Sequence, residues 1–73
     1  MIEVRLFATF REGRDKVSLL ESNQYHTTLE VLRYLNIPSD EVAICLINGK
    51  HSTLEEPIKA GDVLAIFPPV GGG

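Results

Sequence analysis

The residues with the clearest chemical potential lie at the end of the sequence, which reads IFPPVGGG from Ile66 to Gly73. Pro68 and Pro69 cannot donate hydrogen bonds to a sheet, so a strand that reaches them must stop at about Phe67. Two prolines also favour an extended backbone, which carries the following residues away from the body of the protein. The segment 68–73 can reach on the order of 20 Å at ~3.3 Å per extended residue.

The three terminal glycines suit a segment that another protein must enclose. Without Cβ atoms, Gly71, Gly72 and Gly73 can thread a narrow tunnel in a partner enzyme, at an entropic cost when they become ordered. The terminal carboxylate is ionised at neutral pH and can attack the α-phosphorus of ATP. The activated carbonyl would then be open to sulfur or nitrogen nucleophiles, because no side chain crowds it. The pattern predicts a substrate handle; the alternative is a cloning scar or a truncated linker.

Other reactive side chains have simpler interpretations. Cys45 lies in an apolar run, where a free cysteine usually behaves as a small buried hydrophobe. His26 and His51 belong to no cluster with metal-site spacing, so no metal is expected. The acidic pairs 40–41 and 55–56 lie at predicted turns and are interpreted as solvated. We therefore expect no catalytic site in this chain alone.

Composition narrows the possible partners. The chain has 73 residues, enough for one domain, with 7 basic and 10 acidic residues and a net charge of −3. Nucleic acids and anionic membranes attract basic faces, so neither is an expected partner, whereas a protein with a basic docking site is favoured. The single cysteine, with no signal-peptide pattern and no transmembrane stretch, predicts a cytoplasmic protein.

The start of the sequence, MIEVRLFATF, alternates apolar and polar residues with the period of a half-buried strand. The inner face of this strand would carry Ile2, Val4, Leu6 and Ala8. Phe7 then falls on the opposite, outer face. The segment 11–15 indicates a turn, and KVSLLE that follows it is interpreted as the returning strand of a hairpin.

One short amphipathic helix follows. Thr27 and Glu30 form a capping-box pattern, with Thr27 as the N-cap. The apolar stripe of the helix would consist of Leu29, Val31, Leu32 and Leu35. The helix is expected to end at Asn36 and Pro38, because a proline disfavours helical geometry in the residue before it.

The second half of the chain predicts three more strands. EVAICLI is apolar throughout and is interpreted as an inner strand, followed by a tight turn at Asn48-Gly49. A short hairpin partner comes next, and KAGD makes a second turn before the final strand VLAIF. Strands on both sides of a single helix predict an α+β fold, with a mixed sheet and the helix packed across one face. If Leu64 and Ile66 point inward, Phe67 shares the outer face with Phe7.

Three stretches of the sequence resemble the ubiquitin-like sulfur-carrier family, and within it the small subunits of molybdopterin synthases. They are MIEVRLFATFRE, TLEVLRYL and PIKAGDVLAIFPPVGGG, and the similarity extends over nearly the whole chain. The most specific matches are Leu6-Phe7-Ala8 with Arg11-Glu12, Asn48-Gly49, Gly61-Asp62, and Phe67 to Val70 before Gly72-Gly73. The resemblance implies a single β-grasp domain over residues 1–73, with a flexible C-terminal tail at 68–73.

The resemblance also implies a reaction. In that family the terminal glycine carboxylate is adenylated and converted to a thiocarboxylate, which donates sulfur for the molybdenum or tungsten cofactor inside the large synthase subunit. Gly73 would be the sulfur-bearing residue. The tail threaded into the partner would comprise Pro68, Pro69, Val70, Gly71 and Gly72. Phe7 and Phe67 would belong to the apolar docking face for partners.

The implied partners are the large subunit of molybdopterin synthase, an E1-like activating enzyme, and a sulfur donor of the desulfurase or rhodanese type. The chain itself would bind no cofactor, since the activating enzyme uses the ATP. Three alternatives stay open. The chain is short for a molybdopterin-synthase small subunit, with segment 11–26 compressed between the first strand and the helix, and its length approaches that of the thiamine-pathway sulfur carrier, which is the first alternative. The chain could also be a ubiquitin-like tag that is joined to lysines, or a structural module whose glycines are incidental.

Overall fold

The computed structural model describes residues 1–69, and within them five strands and one α-helix follow one another along the chain. The strands are β1 (Ile2–Leu6), β2 (Val17–Leu20), β3 (Ile44–Ile47), β4 (Lys50–His51) and β5 (Val63–Phe67), and the helix α1 (Thr28–Leu35) lies between β2 and β3. Short 3-10 turns occupy Ala8–Arg11 and Ser39–Glu41. This is the order of strands and helix that the sequence predicts.

The five strands form one mixed sheet in the order β2-β1-β5-β3-β4. β1 and β5 run parallel at its centre, and the other neighbouring pairs are antiparallel. Leu6 lies opposite Ile66, so the parallel strands end side by side. The chain therefore leaves β1 and β5 at the same edge of the sheet, where the tail begins.

The core lies between α1 and one face of the sheet. The strands supply alternate residues to it, as the period of two requires, and α1 supplies one stripe. Its buried members are Ile2, Val4, Leu6, Phe10, Leu20, Val31, Leu32, Ile37, Cys45, Ile58, Leu64 and Ile66. Full burial of each large aliphatic side chain contributes about 1.5–3 kcal/mol relative to exposure.

Ala8 departs from the predicted alternation. The alternation predicts that Ala8 lies on the inner face. It is exposed instead, because the strand ends at Leu6 and the backbone at Ala8 enters the left-handed region with φ 54°. The 3-10 turn Ala8–Arg11 that follows brings Phe10 into the core instead, where it is 4% exposed.

The start of α1 is capped differently from the prediction. Thr27 is the N-cap residue, but its side chain makes no capping hydrogen bond. The Glu30 carboxylate accepts a hydrogen bond from the backbone N–H of His26 at 2.9 Å, so one half of the predicted capping box operates one residue earlier. At the other end Asn36 takes a left-handed conformation and Ile37 N–H bonds to Leu32 O, which ends the helix where the sequence predicts.

The prediction of an inner strand for β3 is confirmed, because β3 lies between β5 and β4. β4 is short and pairs with Leu46 and Ile47, and the Ser52 N–H just after it donates to Cys45 O at 3.0 Å. Ile44, on the face away from the helix, is 39% exposed.

A buried carboxylate fixes the start of β5. Asp62 accepts hydrogen bonds from Asn48 Nδ2 at 2.9 Å and from the Lys59 backbone N–H at 3.0 Å. Asn48 Oδ1 in turn accepts a hydrogen bond from the Val63 N–H at 2.9 Å. Asn48 and Gly49 both have positive φ, as the tight turn predicted from Asn-Gly requires. The network joins this turn to the strand that leads to the tail.

Arg14 joins the β1–β2 connection to the end of α1. Its Nε donates to Leu35 O at 2.9 Å, its Nη2 to Asn36 O at 3.1 Å and its Nη1 to Phe10 O at 3.3 Å. Carbonyls at a helix C-terminus lack partners within the helix, and a cation there also interacts favourably with the helix dipole. One side chain thus holds the turn that contains Phe10 against the helix.

Candidate docking site at the root of the tail

The last strand ends where the prolines require it to end. β5 stops at Phe67, whose carbonyl still accepts a hydrogen bond from the Ala43 N–H at 2.9 Å. Pro68 is partly buried and Pro69 is exposed. The predicted tail residues Val70, Gly71, Gly72 and Gly73 lie outside the described residues.

Two aromatic rings meet at this point. Phe7 and Phe67 stack with their ring centroids 4.2 Å apart and their planes 8° from parallel. Leu64 and Ile66 are fully buried on the helix side, so Phe67 lies on the outer face of the sheet, as the alternation predicts. The Phe7 N–H donates to Ile66 O at 3.3 Å, which ties its backbone to β5. The two phenylalanines predicted for partner binding are therefore adjacent.

Arg11 packs against the ring of Phe7. Its guanidinium carbon lies 5.1 Å from the centroid of the Phe7 ring, within cation–π distance. Its Nε donates to Leu6 O at 2.6 Å, which fixes the planar group relative to β1. Phe67 covers one face of Phe7, so the guanidinium lies over the other. The sequence motif contained Arg11, but its position over the ring was not predicted.

A groove opens beside the aromatic pair. It encloses about 640 Å³, and its walls include Phe10, Ile44, Phe67 and Pro68. Among the described residues that line the groove, Glu41 carries a charge. Sequence reasoning missed this groove, although Phe10 continues the even-numbered alternation of the first strand and could have been assigned to the core on that basis.

The thiol of Cys45 lies on the helix side of the sheet, opposite the face that carries the aromatic pair. It is buried in the core, where it lies 4.0 Å from Thr28 Oγ1. Burial raises its pKa, and Glu56 raises it further, against the opposing effect of a hydrogen bond with Thr28. A thiol with a raised pKa is mostly protonated and a weak nucleophile, in agreement with its predicted structural role.

The two histidines lie on the surface, apart from any cluster of possible metal ligands in residues 1–69. His26 and His51 are both exposed. Residues 1–69 bring no group of three or more His, Cys, Asp or Glu side chains together in a metal-binding arrangement. In the same residues, no helix has both the length and the hydropathy that a membrane span requires.

The sequence is matched from residue 4 to residue 73 by the model of the ThiS family. The chain belongs to the ThiS family. Two curated relatives of this ThiS-family chain are named molybdopterin synthase sulfur carrier subunit. The one from Escherichia coli is 37% identical over 84 residues, and the one from Haemophilus influenzae is 36% identical over 83 residues. Both alignments cover 100% of this chain and 100% of the relative.

The fold of this ThiS-family chain is the ubiquitin-like β-grasp fold that the resemblance implied. It is similar to the crystal structure of small archaeal modifier protein 1 from Haloferax volcanii, with a TM-score of 0.73 and 28% sequence identity. The comparison covers 94% of this chain and 97% of that protein. In residues 1–69 of this chain, the fold consists of the mixed five-stranded sheet and the helix α1.

Proposed function

We propose that this chain is the sulfur-carrying small subunit of a molybdopterin synthase, with Gly73 as the residue that carries the sulfur. The observation that carries the proposal is the similarity, over the full length of both chains, to two relatives named as such subunits. The position of the tail root supports it. β5 ends at the same edge of the sheet as β1, and Pro69, the last described residue, is exposed.

The proposed chemistry needs only a carboxylate from this chain. A carboxylate oxygen of Gly73 attacks the α-phosphorus of ATP on an activating enzyme, and pyrophosphate leaves. Hydrosulfide then attacks the carbonyl carbon of the acyl adenylate. The bond to the AMP oxygen breaks, AMP leaves, and a thiocarboxylate remains. This chain is thus a co-substrate that binds no cofactor of its own, and the catalytic groups belong to its partners.

The aromatic pair is the proposed anchor for those partners. Phe7 and Phe67 stack on the outer face of the sheet, immediately before the prolines. Large aromatic side chains supply much of the binding energy in protein interfaces when a partner desolvates them. A large subunit that covers this pair would hold the base of the tail while residues 70–73 enter its active site.

Mass spectrometry of the intact chain tests the proposal. The chain is incubated with an E1-like activating enzyme, ATP and sulfide, and a second sample omits ATP. We expect the complete mixture alone to gain the mass difference between sulfur and oxygen, located at Gly73 by fragmentation. Addition of the large subunit and the pterin precursor should then return the carrier to its original mass. No mass gain with activating enzymes of the molybdopterin and thiamine pathways would refute the carrier function.

A protein-modifier function is the second candidate, and the similarity to the small archaeal modifier protein favours it. An acyl adenylate or thioester at Gly73 could be captured by a lysine amine to give an isopeptide bond. The same experiment distinguishes the two functions when a lysine-containing protein extract is added. A stable adduct to lysine supports the modifier, whereas a thiocarboxylate that the large subunit consumes supports the carrier. The names of the two relatives favour molybdopterin synthesis over the thiamine pathway.

A further inference from the structure

The groove beside the aromatic pair is produced by two local features of the fold. The left-handed turn at Ala8 moves the chain off the sheet and leaves a small exposed side chain on one wall. Ile44 lies on the face of the sheet away from the helix, next to Phe67 on β5, and is 39% exposed. Phe67 and Pro68 complete the walls. The groove is thus continuous with the surface from which the tail departs.

The groove combines apolar walls with one carboxylate. Glu41 is exposed at the end of the 3-10 turn Ser39–Glu41, and the other lining residues in the described part of the chain carry no charge. A partner that fills the groove removes water from around this carboxylate. Burying a charge is costly unless a group of opposite charge pairs with it.

We propose that the groove binds an apolar side chain of the large synthase subunit, and that a lysine or arginine next to that side chain pairs with Glu41. This inference rests on the proposed function, because it assumes that the large subunit grips the root of the tail. The apolar anchor explains the uncovered Ile44. A lysine or arginine of the partner is complementary to the net charge of −3 on this chain and to the carboxylate of Glu41.

Charge also argues against two other occupants. The chain's own residues 70–73 are valine and glycine, and none of them has a cation to pair with Glu41. A second copy of the chain would bring another net charge of −3 to an acidic surface, which opposes association.

A charge-reversal pair tests the contact with Glu41. Glu41→Lys is compared with Asp40→Lys, which makes the same change one residue away on the same exposed turn but outside the groove lining. Binding to the purified large subunit is measured by calorimetry at low and high salt. We expect Glu41→Lys to weaken binding by about tenfold or more and Asp40→Lys by less than about threefold. Equal losses in the two variants would mean that only overall charge matters and would overturn the proposal.

A second pair tests the apolar anchor. Ile44→Ser is compared with Leu19→Ser, which alters a side chain that is 62% exposed on the edge strand β2, across the sheet from the groove. Circular dichroism and urea unfolding verify that both variants fold. We expect about a tenfold loss of affinity in Ile44→Ser and no change in Leu19→Ser. Wild-type affinity in Ile44→Ser would contradict the proposal.

The isolated chain distinguishes the other occupants. NMR spectra of the full chain and of a chain ending at Pro69 are compared without any partner. Unchanged signals for Phe10 and Ile44 support a groove that is free for the large subunit, whereas shifts at both would assign it to the chain's own tail and overturn the proposal. Concentration-dependent sedimentation that Glu41→Lys alters would assign it to a second copy.

The sulfur-loading assay separates failure of this inference from failure of the function. If the wild-type chain acquires sulfur but the groove variants bind the large subunit normally, the groove contact is wrong and the carrier function stands. If the wild-type chain acquires no sulfur, the function itself fails.

Discussion

The ring of Phe7 lies directly on the ring of Phe67, with centroids 4.2 Å apart and planes 8° from parallel. This contact joins the residue after β1 to the last residue of β5. It is possible because the two strands are parallel neighbours whose carboxyl ends meet at one edge of the sheet. The residues that begin the tail and the residues proposed to anchor a partner therefore form one structural unit.

Truncation of either ring should weaken partner binding. We expect Phe7→Ala and Phe67→Ala each to reduce the affinity for the large subunit by about 1 kcal/mol or more, since each removes part of one stacked anchor. The double variant should lose less than the sum of the two, because the contact between the rings is already gone after the first change. Calorimetry measures the affinity of all three variants.

Tyr34→Ala, at an exposed position on α1, serves as the control and should bind the large subunit like wild type. Wild-type affinity in both single variants would remove the pair from the docking face.

Loss of the Arg14 side chain should destabilise the fold. Arg14→Ala leaves the carbonyls of Phe10, Leu35 and Asn36 without their guanidinium donor. We expect the free energy of unfolding to fall by about 1–3 kcal/mol in urea titrations. Arg14→Lys should recover only part of this, because an ammonium group cannot reproduce the planar set of donors.

A second arginine, Arg33, provides the control for this measurement. Arg33 is exposed on α1, and Arg33→Ala should change the free energy of unfolding by no more than about 0.5 kcal/mol. Full recovery in Arg14→Lys would show that charge alone, without the fork of donors, explains the effect.

The sequence predicted the features that depend on local patterns. The alternation in β1 identified Ile2, Val4 and Leu6 as core residues, and Asn48-Gly49 identified the turn after β3. Periodicity and turn chemistry act over a few residues, so a single sequence contains the necessary information. The side of the sheet on which Phe7 and Phe67 lie could be predicted for the same reason.

Features that depend on distant pairing could not be predicted from the residues alone. The Phe7–Phe67 contact requires the parallel register of strands from opposite ends of the chain. Arg14 reaches a carbonyl 21 residues away in sequence, and no local pattern indicates such a partner. The wrong prediction at Ala8 has a local cause. The alternation looked continuous, but a left-handed turn interrupted it, and alanine carries no strong signal for that conformation.

The free carboxylate at Gly73 should be essential for activation. Extension of the chain by one alanine beyond Gly73 converts that carboxylate to an amide and adds a methyl group beside the new one. We expect no thiocarboxylate in the mass-spectrometric assay, while the urea unfolding curve stays unchanged, because β5 ends well before the addition. The same alanine placed before Met1 is the matched control and should leave sulfur loading intact. Normal loading at Gly73 of the C-terminally extended chain would contradict the proposed chemistry.

Acid should weaken the fold through Asp62. Burial alone would raise the pKa of this carboxyl, but hydrogen bonds from Asn48 and from the Lys59 backbone, together with the charge of Lys59, outweigh it and lower the pKa below the ordinary value of 3.8. A carboxyl with a lower pKa in the folded state adds stability above its unfolded pKa, and this stability is lost as the pH falls through the folded pKa.

Asp62→Asn removes the titrating group and replaces one of the two acceptor oxygens with an NH2 group, so one of the two donors loses its acceptor. We expect it to cost about 1–3 kcal/mol of unfolding free energy at neutral pH, and we expect the difference from wild type to shrink below about pH 4. Urea unfolding at several pH values measures this difference. Asp40→Asn, on an exposed turn, should show only a small difference throughout. A constant difference for Asp62→Asn from neutral to acid pH would mean that the carboxylate charge is not what stabilises the start of β5.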